Sequence, residues 1–105
     1  MTPARRQPPP ALDMDLLGRA ARILRVLAHP ARLKMVELLL EEPVSVGELA
    51  AAVGLPAAAV SQHLNIMRAH GVVESEREGR QVFYRVTCPQ AEYLIECLQK
   101  NAGRI

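Results

Sequence analysis

Gly54-Leu55-Pro56 breaks a stretch that would otherwise read as one helix, and this break constrains the fold more than any other feature. Leu49, Ala50 and Val53 precede it at helical spacing, and Gly54 suits the left-handed residue that ends a helix. Pro56 suits the start of the next one, where its missing N–H costs nothing. A three-residue link of this kind brings two short helices to a steep angle, as a helix-turn-helix requires. Both helices carry further signals. Ser45 stands three residues before Glu48, an S-x-x-E capping box. Val60, Leu64 and Met67 share one face of the second helix, which spans Pro56 to about His70 before Gly71 closes it.

The same punctuation orders the rest of the chain. Asp13 or Asp15 caps a first helix in which Leu16, Leu17, Ala20, Ile23, Leu24 and Leu27 recur at helical spacing opposite arginines. His29-Pro30 ends it, because a residue before proline avoids the α region. Pro30 opens a second helix to about Glu41, with Leu33, Val36, Leu39 and Leu40 as its buried set and Pro43 as its stop. After Gly71 the period changes. Val72-Val73 and Val82 to Val86 read as strands, joined across the turn signal Glu78-Gly79. Two strands alone are marginal in water, so the hairpin must lean on the helices. Cys88-Pro89 opens a last helix with Tyr93, Leu94, Cys97 and Leu98 on one stripe.

The expected fold is mainly α with a small β-hairpin: a winged helix-turn-helix of four helices, the hairpin and a fifth helix. Residues 1–11 are expected as a flexible basic, proline-rich tail, 12–100 as the folded domain and 101–105 as a flexible end. A chain of 105 residues supports one core, and with aromatics at 3% that core must be aliphatic, which suits packed helices.

No apolar run approaches the roughly 18 residues of a membrane span, and the start MTPARRQPPP lacks the apolar stretch of a secretory signal. With only two cysteines, the expectation is a cytoplasmic protein with free thiols and no membrane partner. No nucleophile–base pair, glycine-rich phosphate loop or paired carboxylate stands at usable spacing, so an enzyme is not expected, nor a cofactor.

A helix such as Pro56–His70 fits a DNA major groove, where base edges display distinguishable donors and acceptors. Its outward positions are Ala57, Ala58, Ser61, Gln62, Asn65 and Arg68. Ser61 and Gln62 suit base edges or phosphates, while Asn65 and Arg68 suit the backbone. Arg77, Arg80 and Gln81 at the hairpin tip suit phosphates or the minor groove, Arg80 best of all. Ser45 and His63 complete the candidate DNA-binding set. The plain alternative is a solvated helix face and an ordinary charged turn. Net charge is only +2, with the positive excess near the N-terminus and Glu74, Glu76 and Glu78 beside the wing arginines, so close contacts must outweigh the overall field. That balance leaves open a second function: a winged-helix module for protein–protein assembly without DNA.

Leu27-Ala28-His29-Pro30-Ala31-Arg32-Leu33, Val60-Ser61-Gln62-His63-Leu64, Gly71-Val72-Val73 and Glu78-Gly79-Arg80-Gln81-Val82-Phe83-Tyr84, in that order, resemble the ArsR/SmtB family of bacterial transcriptional repressors. The resemblance spans roughly residues 12–100. It implies a homodimeric winged-helix repressor that binds a palindromic operator on double-stranded DNA and releases it when an effector binds. It also implies a dimer interface on the first and last helices, here Leu16, Leu17, Ala20, Ile23, Tyr93, Leu94, Cys97 and Leu98. The apolar stripes point the same way, since five short helices leave both terminal stripes partly uncovered. A two-fold partner would place the two reading helices about 34–36 Å apart, one turn of DNA.

The chain departs from the family's metal sensors. Val44-Ser45-Val46-Gly47-Glu48-Leu49 lacks the Cys-x-Cys pair of arsenic sensors, and the last helix lacks the histidines of zinc sensors. His29, His63 and His70 read as packing, capping or phosphate-contact residues in preference to metal ligands. The effector-sensing candidates left are Cys88 and Cys97. On one helix, nine residues put them about 13.5 Å apart and half a turn out of phase, too far for a disulfide within one chain. One reading is a thiol switch across a dimer, by oxidation, persulfide formation or a thiophilic metalloid. The other makes Cys97 a small interface hydrophobe and Cys88 an incidental helix-start residue.

Overall fold

The computed structural model describes residues 8–105. Residues 1–7 of the expected tail, with Arg5 and Arg6, lie outside the described residues. The elements run α1 (Met14–Leu27), α2 (Pro30–Glu41), β1 (Val44–Ser45), α3 (Val46–Val53), α4 (Ala57–Ala69), β2 (Val73–Glu78), β3 (Gln81–Val86) and α5 (Pro89–Lys100). A short 3-10 turn at Ala102–Arg104 lies within the end expected to be flexible.

The caps are those the sequence signals. Asp13 Oδ1 accepts the Leu16 N–H at 2.8 Å and starts α1. Ser45 and Glu48 form the reciprocal capping box of α3. Gly54 takes φ 72° and ends α3, so the chain can turn into α4 without the Cβ clash of an L residue. In the wing, Gly79 has φ 62° and no non-glycine residue among those described has a positive φ, which identifies a type II′ turn.

The core gathers where α1 ends and α2, α3, α4 and the sheet meet. Leu27, Met35, Val36, Leu49, Leu64 and Met67 are fully buried there. Each contributes about 1.5–3 kcal/mol by leaving water. α5 packs along α2 through Ala91 and Ile95.

Two expectations need correction. The sheet has three strands in the order β1-β3-β2, with Val44 opposite Tyr84 and Ser45 opposite Phe83. β1 was not expected because two residues between Pro43 and a capping box carry no periodicity. The buried set of α2 is Arg32, Met35, Val36 and Leu39, with Leu33 and Leu40 only half-buried. On α5, Ala91 and Ile95 face the core, whereas the stripe expected at a dimer interface lies outside it, with Leu94 and Leu98 half-buried and Tyr93 and Cys97 exposed. Cys88 is buried in the core at the start of α5, and Cys97 is exposed.

Candidate DNA interface

α3 and α4 meet at 110°, which turns α4 outward from the body of the domain. Val60, Leu64 and Met67 anchor its inner face and leave Ala57, Ala58, Gln62 and Asn65 exposed, with Ser61 half-buried beside them. No side chain caps the start of α4, because Pro56 has none to offer. The first-turn N–H groups of α4 are thus available to an anion, and Ala57, Ala58 and Ala59 let a phosphate approach closely.

The other end of α4 is tied down. Arg68 Nη1 donates to Ser75 Oγ at 3.3 Å, and Nη2 reaches Asn65 Oδ1 at 3.5 Å. Arg68 therefore links α4 to β2 and Asn65 shares that contact, which makes Gln62 the less encumbered polar side chain of the outer face. Ser45 is committed as well: its hydroxyl donates to Glu48 Oε1 at 2.9 Å as part of the α3 cap.

The wing sorts its charges by face. Strand alternation and the register put Glu74, Glu76 and Glu78 on one face with Gln81, Phe83 and Arg85. Arg77 lies on the opposite face with Val73, Ser75 and Tyr84, the face packed on the helices. Arg85 is neutralised by its cross-strand pair with Glu74, Nε to Oε1 2.8 Å, and the pairing raises its pKa. Arg77, Arg80 and Gln81 are exposed, and neither arginine makes an ion pair among the described residues. The acidic row that made the wing look ambiguous is directed away from the helices.

His63 sits on α4 between this outer face and the core, and its side-chain partner is Arg32. Arg32 is 7% exposed. Its Nη1 donates to the Val26 carbonyl at 2.9 Å and its Nε donates to His63 Nδ1 at 3.0 Å. Val26 lies in the last turn of α1, where a helix has unpaired carbonyls and partial negative charge, so the guanidinium is compensated there without a carboxylate. The His29 ring lies 6.2 Å from that of His63, centroid to centroid. Burial first, then the charges of Arg32 and His29, lower the pKa of His63. His29 flanks α2 without a side-chain cap bond, and His70 is exposed at the end of α4. No group of three or more His, Cys, Asp or Glu able to hold a metal ion stands together among the described residues.

A second surface completes the picture. On α1, Met14, Leu16, Leu17 and Leu24 are exposed, Ala20 and Ile23 are half-buried, and only Val26 and Leu27 are buried. On α5, Tyr93 is 67% exposed.

Over 81 residues the chain is 41% identical to the biofilm growth-associated repressor of Xylella fastidiosa, a match covering 77% of this chain and 71% of that protein. Residues 29–75 match the family described as "Bacterial regulatory protein, arsR family". The chain belongs to the arsR family. HlyU from Vibrio cholerae superposes with a TM-score of 0.79 at 32% identity, covering 84% of this chain and 96% of that one. A homodimeric winged helix-turn-helix DNA-binding domain from Mycobacterium bovis, described as a possible ArsR-family regulator, gives 0.75 at 30% identity, covering 85% of this chain and 82% of that one. This arsR-family chain is a winged helix-turn-helix DNA-binding transcriptional regulator and not an enzyme.

Proposed function

We propose that the chain is a homodimeric repressor that reads a two-fold symmetric operator with α4 and steadies itself on DNA with the wing. The observation that carries this reading is the outward face of α4, where an uncapped, alanine-rich first turn stands next to Ser61 and Gln62. The alanines supply methyl contacts to thymine and close backbone approach, so base discrimination rests on Ser61, Gln62 and DNA shape. Arg80 and Arg77 contact phosphates or the minor groove beside it. The name of the Xylella relative supports repression, and the homodimeric Mycobacterium bovis domain supports two-fold assembly. The exposed apolar residues of α1 and α5 supply the surface for that assembly.

Release by a thiol effector would act first on Cys97, the exposed cysteine. Cys88 is buried, and its Sγ lies 3.3 Å from Gln90 Oε1, so a bridge between the two across a dimer would first need Cys88 to leave the core.

Gln62→Ala tests the reading of α4. It should weaken operator binding about tenfold or more while leaving affinity for random duplex nearly unchanged, since a lost base contact costs about 1–3 kcal/mol at the specific site only. Equal losses on both duplexes would reduce Gln62 to a backbone contact.

A further inference from the structure

We propose that Arg32 is a positioning residue for DNA binding: by donating to His63 Nδ1, it fixes the imidazole in the tautomer whose hydrogen sits on Nε2, and it presents that N–H to a DNA phosphate. The inference rests on the assignment of α4 as the reading helix. Nδ1 receives a hydrogen bond from Arg32 Nε, which as part of a guanidinium can only donate, so Nδ1 must be the unprotonated nitrogen of the ring. A neutral imidazole then carries its hydrogen on Nε2. Nε2 makes no hydrogen bond among the described residues, and no buried side-chain polar atom among them lacks a partner, so Nε2 is not fully buried and reaches the surface of this half-buried residue. It belongs to the residue next to Gln62, on the helix assigned above as the reading helix.

Arg32 is placed to do this reliably. It is buried, sits in the first turn of α2, and is fixed at its other end by the Val26 carbonyl of α1. One side chain thus joins the end of α1, the start of α2 and the middle of α4. The groups around the ring are cationic or titratable: Arg32 of α2 and His29 at its N-cap, with no carboxylate bonded to it among the described residues. That setting disfavours an imidazolium and keeps the ring a neutral donor. A neutral donor displaces no counterion, so its contribution should appear in affinity without changing the salt dependence.

The test uses the full chain, a duplex it binds, and three variants. Imidazole ¹⁵N shifts of the wild-type protein near neutral pH should show Nε2 protonated and Nδ1 bare. An Nδ1–H tautomer or an imidazolium would overturn the proposal without any variant having to fold. His63→Asn retains an acceptor where Nδ1 lies but has nothing at Nε2. It should keep the wild-type melting temperature and salt slope yet bind DNA about tenfold more weakly. Wild-type affinity in that variant would also overturn the proposal. Arg32→Gln should weaken binding in the wild-type background. In the His63→Asn background it should cause no further loss, because it would act through a ring no longer present. Equal losses in both backgrounds would show that Arg32 acts on the fold alone.

Discussion

At the scale of the residue, Arg32 shows how a buried charge is accommodated without a counter-charge. The carbonyl it caps belongs to a helix end that would otherwise hold an unpaired acceptor, and the imidazole takes a second donor. The arrangement has a pH signature. The pKa of His63 is lowered from 6.5, by burial first and then by Arg32 and His29. As pH falls, the unfolded chain therefore takes up this proton before the folded one, and protons favour unfolding in that interval. The stability that neutral His63 contributes is complete above about 6.5 and declines as pH falls from there towards the lowered folded value, below which the decline stops. Urea unfolding at steps from pH 7.5 to 5 should show this decline, and His63→Asn should flatten it. An unchanged slope in that variant would assign the decline to other groups.

At the scale of the element, the turn between α3 and α4 sets the angle at which the reading helix leaves the body. Gly54 has φ 72°, and an added Cβ would meet nothing within 4 Å, so any cost of substitution there is conformational alone. Gly54→Ala should destabilise the domain by about 1–2 kcal/mol in denaturant titrations, and Gly54→Asn by less, because asparagine tolerates the left-handed region. Equal costs would point to a lost contact in place of strain. This turn was legible in sequence because glycine, proline and the Ser45–Glu48 box are local instructions whose effect does not depend on distant partners. The outward side of α4 was legible for a similar reason, since Val60, Leu64 and Met67 fix its inner side by period alone. Other features were not. β1 exists only because β3 lies beside it. Arg32 reads as one more surface arginine until the end of α1 folds over it. On α5, Tyr93, Leu94, Ile95, Cys97 and Leu98 are all apolar, and periodicity cannot separate the side facing α2 from the side facing outward. The committed contacts of Arg68 and Ser45 likewise depend on neighbours that only folding supplies.

At the scale of the whole molecule, a net charge of +2 is too small to hold DNA by its field alone. The sheet sorts its acids to the face away from the helices and leaves Arg77 and Arg80 outside ion pairs among the described residues, as the proposed wing contact requires. The exposed leucines of α1 act at the same scale. Leu16 and Leu17 are 40% and 39% exposed, and replacing both by glutamate should shift sedimentation from dimer to monomer while helix content stays near wild type. A dimer that survives the change would place the interface elsewhere. Because two reading helices held by a two-fold partner must meet DNA one turn apart, selection of binding sites by the wild-type protein from a random duplex pool tests the central claim most directly. Two-fold symmetric sites with half-site centres about 10–10.5 base pairs apart are the expected result. Enrichment of single, unpaired half-sites, or none at all, would contradict it.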